Sequence, residues 1–301
     1  MTRPPAFRYF LEVAKLGSIR RASQNLNVAA SAISRQIILL EHEIGTPLLE
    51  RLTRGVRLTD AGEILSRHLK ESELNHELAI GWIQEIKGGR RGHVKVAAVE
   101  GLIGNFLPRV MRQLLNEYPQ ISVEILLHGA ERVTDMLRND ECDIGLVIQP
   151  RDISNLAVGA SLLTDFTAVM APDHPLAERG NLTISDVSPH PVVLHAKTFS
   201  SRTLVDRAAR RSGVTLNVVI ETNSIEGMKY FAKAGLGIIF VPAFVVDREC
   251  KAGELVAVPM ADREFRKLRL LVFTRRGRRL SPAGDRLLKM LVSGFHAADA
   301  P

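Results

Sequence analysis

The stretch SIRRASQNLNVAASAISRQIILLEHEIG, residues 18–45, decides how the first part of the chain folds. Ser18 is a preferred helix N-cap residue, and the residues behind it predict a short helix over 19–26. Asn27 tolerates the left-handed backbone of a tight turn. A longer helix is predicted over 30–44, because a glycine follows it. Two helices joined by so short a turn, with a further helix predicted in front of them, have the dimensions of a helix-turn-helix.

The longer helix has one apolar face and one polar face. Its apolar residues recur at helical spacing: Ile33, Ile37, Leu40 and Ile44. A helix that enters the DNA major groove touches base edges with its early residues. Arg35 can reach guanine acceptors and Gln36 can pair with adenine. The predicted contacts on this helix are Ser31, Ala32, Ser34, Arg35 and Gln36. An ordinary amphipathic surface helix is the alternative interpretation.

Residues 46–59 predict a small β-hairpin, or wing, with its turn at 54–55. Arginines at this position suit phosphate or minor-groove contacts. Outside the helix predicted over 30–44, the predicted DNA-contacting residues are Arg20, Arg51, Arg54 and Arg57.

The charge of the chain is unevenly distributed. The 301 residues have a formal net charge of +7. Residues 1–59 contain nine Lys and Arg against four Asp and Glu, whereas residues 93–261 are slightly acidic. A basic N-terminal part joined to a near-neutral middle part indicates an anionic polymer such as nucleic acid as the partner. A basic surface that only contacts solvent is the alternative.

The whole first module resembles the LysR-type transcriptional regulators. The resemblance rests on Phe10–Ser18, Ala32–Ile37, Leu48–Arg51 and Val56–Gly62. Ala29-Ala30-Ser31 stands where that family usually has Ser-Gln-Pro or a similar triplet, so a base-reading side chain is absent at Ala30. Leu49 replaces the usual phenylalanine, which changes packing only.

A long helix is predicted after the wing, capped by Thr59 and stopped by Gly88-Gly89. Its seam residues follow alternating four- and three-residue steps: Leu65, Leu69, Ser72, His76, Ala79, Ile83 and Ile86. The resemblance implies that this helix pairs with its copy in a second chain, giving a homodimer or homotetramer. His76 is interpreted as a polar register position rather than a pH switch. Trp82 is expected to pack against the seam or the next domain.

The remaining residues alternate strand and helix patterns, which predicts parallel sheets with helices on both faces. Strands are predicted at 93–99, 121–127, 142–148, 166–171, 192–194, 218–221, 238–241 and 268–274, and helices at 102–117, 131–138, 202–212, 225–234 and 282–291. Crossovers near 162–165 and 264–268 make this part similar to the two-lobed, periplasmic-binding-protein-like effector domain of the same family. Three segments lie where that family has related motifs: Tyr118-Pro119, Asp143–Leu146 and Ala234–Pro242.

In open α/β sheets, ligands bind beyond the carboxyl ends of strands and at helix N-termini. The predicted effector-binding residues at these places are Glu100, Gly101, Leu102, Gly129, Gln149, Thr198, Phe199, Ser200, Asn223 and Ser224. They suit a small polar effector. Many relatives have Ser or Thr at the position of Glu100, so an effector with a donor or cationic group is one hypothesis. Outward orientation of Glu100, or capping of the helix start near Asn105, is the other.

The sequence does not favour an enzyme. The nine His residues are scattered, and neither Cys142 nor Cys250 has a partner at metal or redox spacing. The glycine patterns at 101–104 and 235–237 fall short of a dinucleotide fingerprint, and no nucleophile elbow occurs. No catalytic residue, metal or cofactor is therefore predicted. A stand-alone solute-binding protein is disfavoured by the basic head and by the lack of a signal-peptide pattern.

The predicted architecture is mixed, with three parts. These are a winged helix-turn-helix over 1–59, a linker helix over 60–89 and a two-lobed α/β effector domain over 90–301, whose lobes are about 90–163 with 266–301 and about 164–265. The expected partners are double-stranded promoter DNA, a small-molecule co-inducer, further copies of the chain and RNA polymerase, with no membrane. The cytoplasm is the expected compartment. The basic cluster Arg275–Arg279 is expected to be a solvated loop, with DNA or an acidic partner as the alternative.

Overall fold

The computed structural model describes residues 4–52, 55–86, 91–104, 106–197 and 199–299. The chain divides into two compact units, Met1–Ile80 and Gly81–Pro301, and each is described by itself.

The first unit is a winged helix-turn-helix followed by a long helix. Its elements are α1 (Pro5–Leu16), α2 (Ile19–Leu26), α3 (Ala30–Ile44), β1 (Leu49–Arg51), β2 (Val56–Leu58) and the start of α4 (Asp60–Ile86). Gly17 and Gly45 end α1 and α3 with φ of 62° and 80°, where a side chain would be strained. A compact core forms beneath these elements: Phe10, Val13, Ala22, Ile33, Ile37, Leu40, Leu48 and Leu69. The predicted winged helix-turn-helix is thereby confirmed.

The second unit continues the chain with alternating strands and helices. Its elements are β3 (Gly92–Ala98), α5 (Phe106–Glu117), β4 (Ile121–Leu127), α6 (Ala130–Arg138), β5 (Ile144–Ile148), β6 (Leu156–Thr164), β7 (Phe166–Met170), α7 (Ile184–Val187), β8 (Pro191–His195), α8 (Ser200–Ser212), β9 (Asn217–Thr222), α9 (Ile225–Lys233), β10 (Ile239–Pro242), α10 (Asp247–Lys251), β11 (Val256–Pro259), β12 (Leu268–Arg275) and α11 (Pro282–Asp299).

The second unit is built on two groups of strands, which we call its first and second lobes. The first lobe has a five-stranded sheet in the order β4-β3-β5-β12-β6. Strand β3 runs parallel to β4 and β5, whereas β12 runs antiparallel to β5 and β6. The second lobe has the antiparallel sheet β10-β7-β11 and the parallel pair β8-β9. The chain enters the second lobe between β6 and β7 and returns just before β12. The predicted mixed architecture is confirmed.

Several local predictions were wrong. The helix predicted from Leu102 is interrupted, because Glu100–Leu102 forms a separate 3-10 turn and α5 starts only at Phe106. Glycines at 101 and 104 weaken a helix there. The sheets are not purely parallel, since β6 and β12 are antiparallel. Strand β6 was missed because only Leu156 and Ala160 in it are fully buried, which leaves no clear alternation. The short elements α7, α10 and β11 were also missed.

The basic cluster after β12 is not uniformly solvated. The Arg278 side chain is only 4% exposed and forms ion pairs with Asp140 and Asp143. Its Nη1 also donates to the Cys142 carbonyl oxygen at 2.7 Å. Arg275 Nε donates to Asp140 Oδ1 at 2.8 Å. Two of the four arginines therefore hold the turn after α6, and the expectation of a solvated loop is wrong for them.

We expect Arg278→Ala to lower the free energy of unfolding by about 3–5 kcal/mol, because two carboxylates would lose a buried partner. Urea denaturation of the purified chain measures this. Arg279→Ala removes the same charge from an exposed position and should change stability by less than about 0.5 kcal/mol. Equal effects of the two substitutions would contradict a structural role for Arg278.

Candidate functional site

The turn between α2 and α3 sets the orientation of the predicted recognition helix. Ser18 Oγ accepts a hydrogen bond from the Arg21 backbone N at 3.3 Å, so it caps α2 as predicted. Asn27 has φ of 53° and ends α2. Val28 N then donates to the Ser23 carbonyl oxygen at 3.1 Å, which closes the turn. Helix α3 therefore leaves this turn in a fixed direction.

Helix α3 buries one face and leaves the other free for a partner. Its buried residues are Ile33, Ile37 and Leu40. The predicted contact residues occupy the remaining surface: Ser31, Ala32 and Arg35 are exposed, and Ser34 and Gln36 are partly buried. Arg20 on α2 is exposed as well. The structure therefore presents all five predicted residues of α3 at the surface of the first unit.

The wing is anchored to the helices at both ends. The backbone N atoms of Leu48 and Leu49 donate to Glu41 Oε1 at 2.8 and 3.1 Å. At the tip, Gly55 has φ of 91°, and a Cβ there would lie 2.5 Å from the Gly17 carbonyl oxygen. That oxygen accepts a hydrogen bond from Val56 N at 2.9 Å. Only glycine permits this close approach, which holds the hairpin against the end of α1.

Arg51 and Arg57 are exposed on the wing, whereas Arg54 lies outside the described residues. Arg57 Nη2 lies 2.6 Å from Glu50 Oε2 on the neighbouring strand. The hydrogen bond with Glu50 is the main cause that raises the pKa of Arg57. An exposed ion pair of this kind contributes little free energy, so a phosphate can replace Glu50 as the partner of Arg57.

A cavity of about 220 Å³ lies between the two lobes of the second unit. It is bounded by the carboxyl ends of β3, β4 and β8 and by the N-termini of α6, α8 and α9. Apolar side chains form most of its wall: Val99, Leu127, Phe166, Leu204, Phe240 and Val245. Its polar side chains are Glu100, His128, His195, Ser200, Ser201 and Asn223. Such a concave, mostly apolar site with a few polar groups is typical of small-molecule binding.

Glu100 joins the two lobes at the edge of this cavity. Glu100 follows β3 in the first lobe, and its carboxylate accepts hydrogen bonds from the start of α9 in the second lobe. Ile225 N donates to Oε2 at 2.8 Å, Glu226 N to Oε1 at 3.3 Å and Ser224 Oγ to Oε1 at 3.1 Å. The negative charge therefore lies at the positive end of α9, where it is stabilised by backbone N–H groups. The alternative of an outward-facing Glu100, or of one that caps the helix start near Asn105, is therefore wrong, whereas an effector with a donor or cationic group stays a prediction.

A second polar contact joins the lobes. Arg151 Nη2 donates to Thr203 Oγ1 on α8 at 3.0 Å, and its Nη1 lies 2.7 Å from Glu131 Oε1 on α6. Because α6 belongs to the first lobe and α8 to the second, Arg151 connects two helix starts that border the cavity. The arrangement in the structure is therefore one in which the lobes are held together.

His195 is the most deeply buried polar side chain of the cavity wall, with 5% of its surface exposed. Its Nδ1 shares a hydrogen bond of 2.7 Å with Ser201 Oγ, and its ring stacks on Phe199 with centroids 4.8 Å apart. Nε2 is buried and has no hydrogen-bond partner among the described residues. Burial lowers the pKa of His195 to about 4, against the smaller opposing influence of Glu100. The imidazole is therefore neutral at physiological pH.

The predicted effector residues divide into those that line the cavity and those that do not. The lining includes Glu100, Gly101, Gly129, Phe199, Ser200 and Asn223. Leu102 is fully buried in the core on the other side of the 3-10 turn. Gln149 Oε1 accepts from Arg269 N at 3.0 Å within the first lobe. Ser224 Oγ caps α9, and Thr198 lies outside the described residues.

Sequence reasoning missed His195 and the two aromatic side chains Phe166 and Phe240, whereas Ser201 belongs to a segment that it placed at the ligand site. His195 is the last residue of the buried strand β8. The rule that ligands bind beyond the carboxyl ends of strands could have found it. The aromatic residues lie in strands that read as ordinary core, so no signal in the sequence separates them from it.

Within the part of the chain that the structure describes, no group of three or more His, Cys, Asp and Glu side chains has an arrangement that could hold a metal ion. None of the helices in this part combines the length and the apolar character needed to cross a membrane.

Comparison with known protein families agrees with both units. The profile described as "Bacterial regulatory helix-turn-helix protein, lysR family" matches residues 5–63, and the "LysR substrate binding domain" matches residues 87–295. A helix-turn-helix joined to a substrate-binding domain defines a DNA-binding transcriptional regulator that responds to an effector. The chain belongs to the LysR family of these regulators.

Individual relatives are similar over nearly the whole chain. The RuBisCO operon transcriptional regulator of Allochromatium vinosum is 28% identical over 292 residues, covering 95% of this chain and 94% of that protein. A full-length OxyR variant from Pseudomonas aeruginosa has a TM-score of 0.67 at 21% identity, covering 98% and 95% of the two chains. CbnR complexed with its target DNA has a TM-score of 0.54 at 19% identity, covering 98% and 100%. These structures share the fold.

The lowered pKa of His195 makes the stability of the second unit depend on pH. Between the ordinary His value of 6.5 and about 4, the unfolded chain binds a proton at this residue and the folded chain does not. Stability is therefore fully present above pH 6.5 and is lost as the pH falls. Over this range, we expect the free energy of unfolding of the wild type to fall by up to about 1.4 kcal/mol per pH unit more than that of His195→Gln. Urea denaturation at pH 7.5 and pH 5 measures the difference, and parallel pH profiles would contradict it.

Proposed function

We propose that this LysR-family regulator reads promoter DNA with α3 and responds to a small molecule held between its lobes. DNA binding by α3 is supported by its exposed surface, which lies opposite the buried residues Ile33, Ile37 and Leu40. Arg35 and Gln36 lie within the first two turns, where a helix in the major groove meets base edges. Ser31, Ala32 and Ser34 complete the proposed contact surface.

Phosphate contacts are proposed for the arginines around α3. Arg20 lies at the start of α2, and Arg51 and Arg57 lie on the wing. Arg54, which lies outside the described residues, belongs to the same proposed set. Because such contacts release counterions, the affinity for DNA should fall steeply with salt.

The proposed effector site is the inter-lobe cavity. A ligand there would touch both lobes. If it binds one arrangement of the lobes more tightly than another, it shifts the equilibrium towards that arrangement, and this shift would change DNA binding. The proposed contacts are Glu100, Gly101, Gly129, Phe199, Ser200 and Asn223, and we add His195 and Ser201 because they line the same cavity. Thr198 also stays in the proposal. Leu102, Gln149 and Ser224 are proposed to support the site from outside its wall.

The proposed mode of action is binding alone, without catalysis. The curated relatives are transcriptional regulators, and the described residues offer no metal-binding group. We further propose the cytoplasm as its compartment and RNA polymerase as a partner at the promoter. The proposed division remains 1–59 for DNA binding, 60–89 for the linker helix and 90–301 for the effector domain.

A homodimer or homotetramer is proposed because α4 exposes large apolar side chains in the single chain. Ile64, Ile80, Trp82 and Ile83 are all at least two-fifths exposed. The polar seam residues Ser72 and His76 are exposed too. A helix with unburied apolar residues gains free energy when a second copy covers them.

We expect Arg35→Ala to weaken binding to the preferred operator by about 1–3 kcal/mol and to relax its sequence preference, because a base contact is lost. The operator is first selected from a random duplex library with the wild-type protein, and affinities are then measured by gel shift. Arg67→Ala, which removes an exposed charge from α4, is the matched control. Unchanged affinity and preference in Arg35→Ala would contradict the proposed docking of α3.

We expect Ile83→Glu to weaken self-association of the full-length chain, because a charge would be buried in the α4 seam. Sedimentation velocity over a range of protein concentrations measures the dissociation constant. Arg67→Glu introduces the same side chain at an exposed polar position of the helix and should leave association unchanged. An Ile83→Glu variant that associates as the wild type does would place the interface elsewhere.

A further inference from the structure

Of the three helix N-termini that border the cavity, that of α9 is already occupied by the protein itself. The N-terminus of a helix binds anions through free N–H groups and the helix dipole. At α9 these N–H groups donate to the Glu100 carboxylate instead. A ligand anion beside Glu100 would meet a fixed negative charge at short range.

Among the described residues that line the cavity, none is Lys or Arg. Arg202, in the first turn of α8, forms ion pairs with Asp206 and Glu221 and donates to the His195 carbonyl oxygen. Its guanidinium is therefore already engaged. A carboxylate in this mostly apolar enclosure would lose its hydration without gaining a Lys or Arg partner among the described lining residues, which is unfavourable.

His195 supplies one unfilled hydrogen-bonding position. Nδ1 is engaged by Ser201 and the ring plane is fixed by Phe199, so Nε2 has a defined direction. Nε2 is buried without a partner among the described residues. A buried polar atom without a partner is unfavourable, and a ligand that supplies the missing hydrogen bond removes this cost.

The size of the cavity limits the molecule. Its volume is about 220 Å³, and a cavity of roughly 150 Å³ suffices for benzene. The wall is mostly aliphatic and aromatic. One substituted ring, or a branched chain of similar size, fits these dimensions.

We propose that the effector is an uncharged, mostly apolar molecule of about one substituted ring, anchored by a hydrogen bond to His195 Nε2, and that Glu100 excludes anions from the site. This inference rests on the proposed function of the cavity as the effector site. Glu100 thereby determines specificity, while His195 provides the polar anchor.

Isosteric amides and carboxylates test the proposed ligand class. The probes are benzamide against benzoate, cyclohexanecarboxamide against cyclohexanecarboxylate, and isovaleramide against isovalerate. Full-length protein is titrated with each at millimolar concentrations, by thermal shift and calorimetry. We expect at least one amide to bind, with an affinity about tenfold or more above that of its carboxylate. Equal or tighter binding of the carboxylates, or no binding of any amide, would overturn the proposal.

Three variants assign the roles. In Glu100→Gln, the amide preference should fall at least about tenfold, because the repelling charge is gone. In His195→Phe, which keeps the stacking on Phe199, amide affinity should fall about tenfold. His190→Phe removes an imidazole outside the cavity wall and should change neither quantity. An unaltered preference in Glu100→Gln, or unaltered affinity in His195→Phe, would contradict the assigned role.

DNA binding separates this inference from the proposed function. Footprinting on the selected operator is repeated with the bound amide present. A changed footprint or affinity supports the effector role of the cavity. An amide that binds with the expected preference and leaves DNA binding unchanged would overturn the effector role while supporting the ligand class.

Discussion

The contact between Glu100 and the start of α9 joins the two lobes that enclose the inter-lobe cavity. One carboxylate from the first lobe accepts two backbone N–H groups and one hydroxyl from the second. These donors belong to a helix terminus, so the interaction combines charge-assisted hydrogen bonds with the helix dipole. Arg151 adds a second link between the starts of α6 and α8. The walls of the cavity come from both lobes, and its volume therefore depends on these contacts.

The three helices of the helix-turn-helix were predictable because their signals are local. Periodic apolar residues, the Ser18 cap and the glycines after α1 and α3 each act within a few residues of chain. The sequence predicted α3 from Ala30 to Ile44, and the structure has these bounds. Strand β6 gave no such signal, because it lies at the edge of its sheet and buries few side chains. Its antiparallel pairing with β12 joins residues more than a hundred positions apart.

The candidate sites differ in predictability for the same reason. The contact surface of α3 follows from helical spacing once the buried stripe is known. The cavity requires the relative placement of two lobes, so sequence rules reached the loops at strand ends but not the partners of their side chains. Glu100 illustrates this limit, because its donors lie more than 120 residues away. The basic cluster does too, since Arg278 is distinguished from its neighbour Arg279 only by Asp140 and Asp143 across the lobe.

A ligand can shift the arrangement of the lobes only through contacts that differ between arrangements. Gln149 and Arg269 form a hydrogen bond within the first lobe. Their contact therefore stays the same wherever the second lobe lies. Glu100 contacts the second lobe directly, and the cavity wall joins side chains of both lobes. A molecule bound there gains or loses contacts whenever the lobes move. In the proposed mechanism, the free energy that couples the ligand to DNA binding therefore passes through the inter-lobe contacts, so residues that touch both lobes are the ones expected to influence it most.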